Sequence, residues 1–128
     1  MSAGEGVEDS QAGVIIDDAR QLAMALPQVT EQDHHGIPSF RVGGKILATV
    51  PDEDHLRILL DEHAIRAAAY ENPGVFHEFY WGKRLACLLV DLSGVTRQQL
   101  SELLTEAWLD KAPPSLSAGF NPVPPSSR

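Results

Sequence analysis

The stretch FRVGGKILATV, residues 40–50, constrains the fold of this chain more than any other. Phe40 and Val42 are separated by a polar residue, the period-2 pattern of a strand with one buried face. Gly43 and Gly44 follow, and Ile46, Ala48 and Val50 resume the alternation. A two-residue link between antiparallel strands needs positive φ at both positions, which glycine adopts without a Cβ clash. The segment is therefore read as a hairpin in which Phe40, Val42, Ile46, Ala48 and Val50 share one apolar face. A lone hairpin is marginal in water, so this face calls for more strands and for a helical layer.

The rest of the sequence supplies both. Ala19, Leu22, Ala23 and Leu26 fall on one face of a helix spanning about 16–26. Asp17 and Asp18 suit its first turn, and Pro27 ends it. Residues 28–39 read as a polar loop. His55–Leu60 alternates again, with Leu56, Ile58 and Leu60 on one side and His55 and Arg57 on the other. Asp61 can cap a helix over 62–71, with Ile65, Ala68 and Ala69 facing inward, and Asn72-Pro73-Gly74 stops it. Residues 75–81 form an aromatic-rich strand, Gly82-Lys83 a turn, and 84–92 an apolar central strand. Thr96 and Gln99 form a capping box for a last helix, with Val95 and Leu100 at the staple positions. Leu100, Leu103, Leu104, Ala107 and Trp108 make its apolar stripe, and Pro113-Pro114 closes it. The order α-β-β-β-α-β-β-α, with short hairpin links, predicts an α+β two-layer sandwich: an antiparallel sheet with helices on one face.

Bulk properties set the outer limits. A chain of 128 residues, 43% hydrophobic and 22% charged, suits one domain with its own core. The expected division is a mobile acidic tail at 1–13, a domain at 14–112 and a disordered Pro/Ser-rich tail at 113–128. That last tail contains Pro122-Val123-Pro124-Pro125, a minimal PxxP. Cys87 is the one cysteine, which excludes an intramolecular disulfide and a zinc site built on cysteines. The polar N-terminus has no apolar signal region, and the longest apolar run, Leu85–Val90, is too short to cross a bilayer. A cytoplasmic protein without membrane contact is expected. The net charge is −8, and residues 14–112 carry 15 acids against nine bases. Long-range attraction to nucleic acid or anionic lipid is therefore not expected.

The segments DDARQLAMALPQVTE, HHGIPSFRVGGKILATV, PDEDHLRILL, FYWGKRLACLLVDL and LLTEAWLDKAP, in this order and spacing, resemble the MmcQ/YjbR family. The resemblance covers roughly residues 16–113. Its specificity lies in combining a loop ending G-x-P-x-F-R-V, a Y-W-G-K-R turn and a closing E-A-W helix. It implies a frataxin-like or secretion-chaperone-like α+β sandwich, in agreement with the reading above. It also implies DNA binding through two β-hairpins acting as a double wing, and it brings no catalytic residue set and no cofactor.

Four of the nine bases flank the two hairpin turns: Arg41 and Lys45 beside Gly43-Gly44, and Lys83 and Arg84 beside Gly82. Tyr80 and Trp81 adjoin the second pair. Cations at hairpin tips can meet phosphates, and an exposed aromatic ring can stack on an unpaired base. Four phosphate contacts would give a salt slope of only about −3.6, so any nucleic-acid contact is expected to be weak. His34 and His35 are the loop candidates. Successive side chains in an extended loop point apart, so no metal site is assigned to them, and one histidine is expected to order the loop before Gly36. Cys87, in an apolar strand, is expected to be an unreactive thiol. No nucleophile elbow surrounds Ser39, and no glycine-rich phosphate loop opens a helix. The expected function is a non-enzymatic binding module, with weak DNA contact through the wings. One alternative is a protein-interaction or small-ligand adaptor that uses a sheet face left open by the helices. A second is an enzyme built on the His34/His35 loop, which would need a pocket joining those histidines to a carboxylate.

Overall fold

The structure is a computed structural model and describes residues 11–119. Helix α1 spans Ile16–Met24, followed by β1 Thr30–His34, β2 Ile37–Val42, β3 Lys45–Asp52 and β4 His55–Ile58. Helix α2 spans Glu62–Glu71, then come β5 Phe76–Trp81, β6 Arg84–Asp91, α3 Arg97–Lys111 and the short α4 Pro114–Ser117. The six strands form one antiparallel sheet in the order β1-β2-β3-β4-β6-β5. Helix α3 lies on β3 and β4 and packs against α1, while α2 lies on β5 and β6. The α+β class and the expected order are found, with β1 and α4 as additions.

Two neighbouring rows of paired residues show how the sheet divides its faces. Phe40, Ala48, Ile58 and Leu88 are partners across β2, β3, β4 and β6, and all four are fully buried under the helices. One residue along lies the row Ser39, Thr49, Arg57, Leu89 and His77. Side chains alternate along a strand, so this second row faces away from the helices.

The capping box on α3 is formed as the sequence suggests. Gln99 N–H donates to Thr96 Oγ1 at 3.0 Å, and Thr96 N–H donates to Gln99 Oε1 at 3.0 Å. Asp61 accepts from Ala64 N–H at 2.8 Å to cap α2. Trp108 is fully buried, and its indole Nε1–H donates to the Pro27 carbonyl at 3.0 Å, which ties α3 to the chain leaving α1. Gly43 and Gly44 have φ of 59° and 80°, the left-handed pair that the tight hairpin requires.

Four expectations are corrected. The polar loop at 28–39 contains β1, an edge strand of exposed side chains held by its pairing with β2. Ile46 does not share the face of Ala48. A bulge shifts the β2–β3 register between Phe40 and Arg41, so Leu47 turns into the core and Ile46 turns to the other face. At the N-terminal boundary Gly13 N–H donates to the Val95 carbonyl at 2.8 Å and Ala12 bridges Thr96, so the ordered unit begins before residue 14. At the other end Pro114–Ser117 is helical and Leu116 packs on the core, so the disordered segment expected from residue 113 starts with structure. The acidic residues Glu5, Glu8 and Asp9 and the PxxP at 122–125 lie outside the described residues.

Candidate ligand cleft on the open face of the sheet

Helices α1, α2 and α3 lie on one side, and the other side of the sheet carries a cleft of about 390 Å³. Its floor comes from Thr49, Arg57 and Cys87, on three neighbouring strands. One wall is the β1–β2 turn, with His34, His35 and Ile37, and the other is the β5–β6 hairpin, with Phe79, Trp81 and Arg84. A second bulge, opposite Phe79 and Tyr80, leaves Ala86 unpaired within β6 and brings Ala86 and Arg84 to the cleft beside Cys87.

Arg57 is the central charge. Its Cζ stands 4.7 Å from the centroid of the Phe79 ring, a cation–π contact. Its Nε is buried without a hydrogen-bond partner. Phe79 in turn meets Trp81 edge to face, with centroids 6.2 Å apart, and Trp81 is 68% exposed. Cys87 lies beneath. Burial pushes its thiol up to about 11, against the pull of the Arg57 charge, so it remains a neutral thiol at ordinary pH.

The histidines are brought together rather than apart. Their ring centroids lie 4.5 Å from one another, because His35 takes a left-handed φ of 54° in the β1–β2 turn and its ring swings round to His34. This corrects the expectation that the two side chains diverge. The turn is ordered by Asp33, whose carboxylate accepts from Gly36 N–H at 3.2 Å, while the His34 ring Nδ1 lies 3.4 Å from an Arg41 guanidinium nitrogen on β2. Among the described residues no Asp or Glu lines the cleft, so the histidines meet no described carboxylate there. Among the described residues, no three His, Cys, Asp or Glu side chains group as metal ligands would.

The wing residues separate into two sets. Strands β2 and β5 run in the same direction, so the turns after them lie at one end of the sheet, centred roughly 14 Å apart at about 4.8 Å per strand. Lys45, Lys83 and Arg84 are exposed near those turns. Arg41 is half-buried, and its guanidinium is engaged by Ser39 Oγ at 3.1 Å and His34 Nδ1 at 3.4 Å. Tyr80 is exposed and donates its hydroxyl to Glu78 at 2.7 Å, which raises the phenol's pKa. The first turn is also backed by the chain beyond α3, since a Cβ on Gly43 would stand 3.1 Å from Pro113.

Arg57, Phe79 and Thr49 were not singled out from the sequence. The signal was present in the alternation of 55–60, which sets Arg57 opposite Leu56 and Ile58. An arginine in the middle of a strand flanked by core residues marks a second, non-solvent environment on its own face.

Comparison with known proteins gives the same architecture. The chain is 28% identical to the uncharacterized protein Rv2570 of Mycobacterium tuberculosis over 123 residues, covering 81% of this chain and 93% of that one. The uncharacterized protein Mb2600 of Mycobacterium bovis matches equally. The crystal structure of Deinococcus radiodurans protein DR2400, a DUF419 domain, superposes with a TM-score of 0.64 at 22% identity, over 83% of this chain and 81% of that one. The YjbR family model matches residues 24–109, from the last turn of α1 to near the end of α3, and on that match the chain belongs to the YjbR family.

Proposed function

We propose that this YjbR domain is a non-enzymatic binding module that takes a small ligand on the open face of its sheet. One observation carries the reading: a cleft of about 390 Å³, walled by aromatic and aliphatic side chains, contains a guanidinium with a buried, unpartnered N–H. Small-molecule sites span about 300–1,000 Å³ and combine apolar walls with a few polar groups, as here. A non-enzymatic role is favoured because the two histidines have no carboxylate to orient them and Cys87 is held as a neutral thiol. A fragment library screened by ¹H–¹⁵N correlation spectra, on wild type and on Ala86→Trp, tests the reading. Fragments are expected to bind wild type and to lose binding when the tryptophan fills the cleft. Hits that bind both proteins alike would contradict it.

A weak nucleic-acid contact is the second reading, and the common end of the two hairpin turns favours it. With Arg41 engaged internally, Lys45, Lys83 and Arg84 are the phosphate contacts, which gives a salt slope of about −2.7. Fluorescence anisotropy over a salt series is expected to show weak, sequence-independent binding that the triple substitution of these residues abolishes. Sub-micromolar, sequence-selective binding at about 150 mM salt would contradict this, since non-specific contacts reach only about 10⁻⁴–10⁻⁶ M. A preference for single strands that Trp81→Ala removes would point to base stacking.

A further inference from the structure

We infer that the cleft takes a small planar aromatic carboxylate, held through Arg57; this rests on the ligand-binding reading above. Charge is the first argument. The chain carries −8 overall, yet among the described residues the cleft lining has two arginines and no acid. That local charge favours an anion where the protein as a whole repels one.

The geometry of Arg57 is the second. The Phe79 ring centroid stands 4.7 Å from its Cζ, and a guanidinium carries its N–H donors only along its edges, so an anion meets it there. Its Nε–H is sealed from solvent, so the outer edge formed by the two Nη groups is the one a ligand reaches. In any arginine the two N–H bonds along that edge point the same way, and their spacing matches the two oxygens of a carboxylate. One such edge suits a monoanion. A phosphate monoester, with more charge and a third oxygen, would call for further donors.

The walls supply the third argument. Trp81 presents an indole that is 68% exposed, set edge to face against Phe79, at the rim of the same cleft. Ile37, Ile46 and Leu59 add apolar side chains. A flat hydrocarbon body fits this combination, because an aromatic ring can pack against indole and aliphatic surface together.

The test uses trans-cinnamate as the probe, with trans-cinnamamide, hexanoate and phenyl phosphate as controls, on the full chain. Two indole N–H resonances report separately, Trp81 from the cleft and Trp108 from the core. Cinnamate is expected to shift the Trp81 indole and the Thr49 and Ala86 amides, saturating at about 1 mM or below. Cinnamamide and hexanoate are expected to bind about tenfold more weakly or worse, and phenyl phosphate more weakly than cinnamate. Arg57→Met is expected to cost about tenfold in cinnamate affinity with the Trp108 resonance in place. Should Arg57→Met not fold, Arg57→Lys decides the matter, since it keeps the charge and removes the paired N–H edge; the same loss is expected. Equal binding of acid and amide, or unchanged affinity in Arg57→Lys, overturns the inference. Tighter binding of phenyl phosphate overturns the assignment to a carboxylate. If neutral fragments shift the cleft resonances and none of the four probes does, the inference fails and the ligand-binding reading stands. If no compound shifts them, both fail.

Discussion

Asp52 and Asp91 lie where the turn before β4 and the end of β6 meet, since His55 pairs with Asp91 across the sheet. The Asp52 carboxylate accepts from the His55 ring at 2.9 Å and from Asp54 N–H at 2.8 Å, and the histidine bond is the main reason its pKa lies below the ordinary carboxylate value. Asp91 is lowered chiefly by the Ser93 hydroxyl, which donates at 2.7 Å, and then by Ser93 N–H. A carboxylate whose pKa is lower folded than unfolded adds stability above the unfolded value, and that stability disappears as pH falls through the folded value. Urea unfolding midpoints are therefore expected to be level above about pH 5 and to fall below about pH 4. Asp91→Asn should flatten part of that fall, and both effects should be small because the groups are exposed. A midpoint that rises on acidification would contradict the assignment. At this scale the sequence was legible where a residue acts through its immediate neighbours, as with Thr96 and Gln99. It was not legible at His35, whose ring direction depends on a left-handed backbone that no residue type announces.

The elements follow their local chemistry with one instructive exception. Strand β1, Thr30–His34, reads TEQDH, without a single apolar side chain, so the alternation that reveals the other strands is absent. It exists because β2 offers a row of backbone partners, and as an edge strand it profits from charges that discourage a further strand. Helix α3 is the opposite case, with cap, stripe and stop all written in the sequence. Thr96→Ala removes the hydroxyl that accepts Gln99 N–H and is expected to cost about 0.5–2 kcal/mol. Trp108→Ala empties a fully buried site and is expected to cost about 3–5 kcal/mol. Denaturant unfolding measures both, and a Trp108→Ala midpoint equal to wild type would refute the placement of that face in the core. Two of the three register shifts in the sheet, those of the β2–β3 and β5–β6 pairs, belong to this scale too. Each moves a residue, Ile46 or Ala86, to the cleft side, and a one-residue register shift is invisible to a period-2 count made strand by strand.

In the whole molecule, one sheet separates two environments. The helices bury one face, and among the described residues none is long and apolar enough to cross a membrane. The layering was legible because it follows from strand and helix periodicity. The cleft was not, because it is assembled from Thr49, Arg57, Phe79 and Cys87 on four strands whose order the sequence does not state. The most direct test of a ligand-binding open face is a map of backbone amide shifts, for any bound fragment, over the two adjacent cross-strand rows. The account predicts the largest shifts at Thr49 and Arg57 of the open-face row, which line the cleft, with Ala48, Ile58 and Leu88 close to their free positions. Shifts concentrated on Ala48, Ile58, Leu88 and the helices, with the open-face row unmoved, would contradict it.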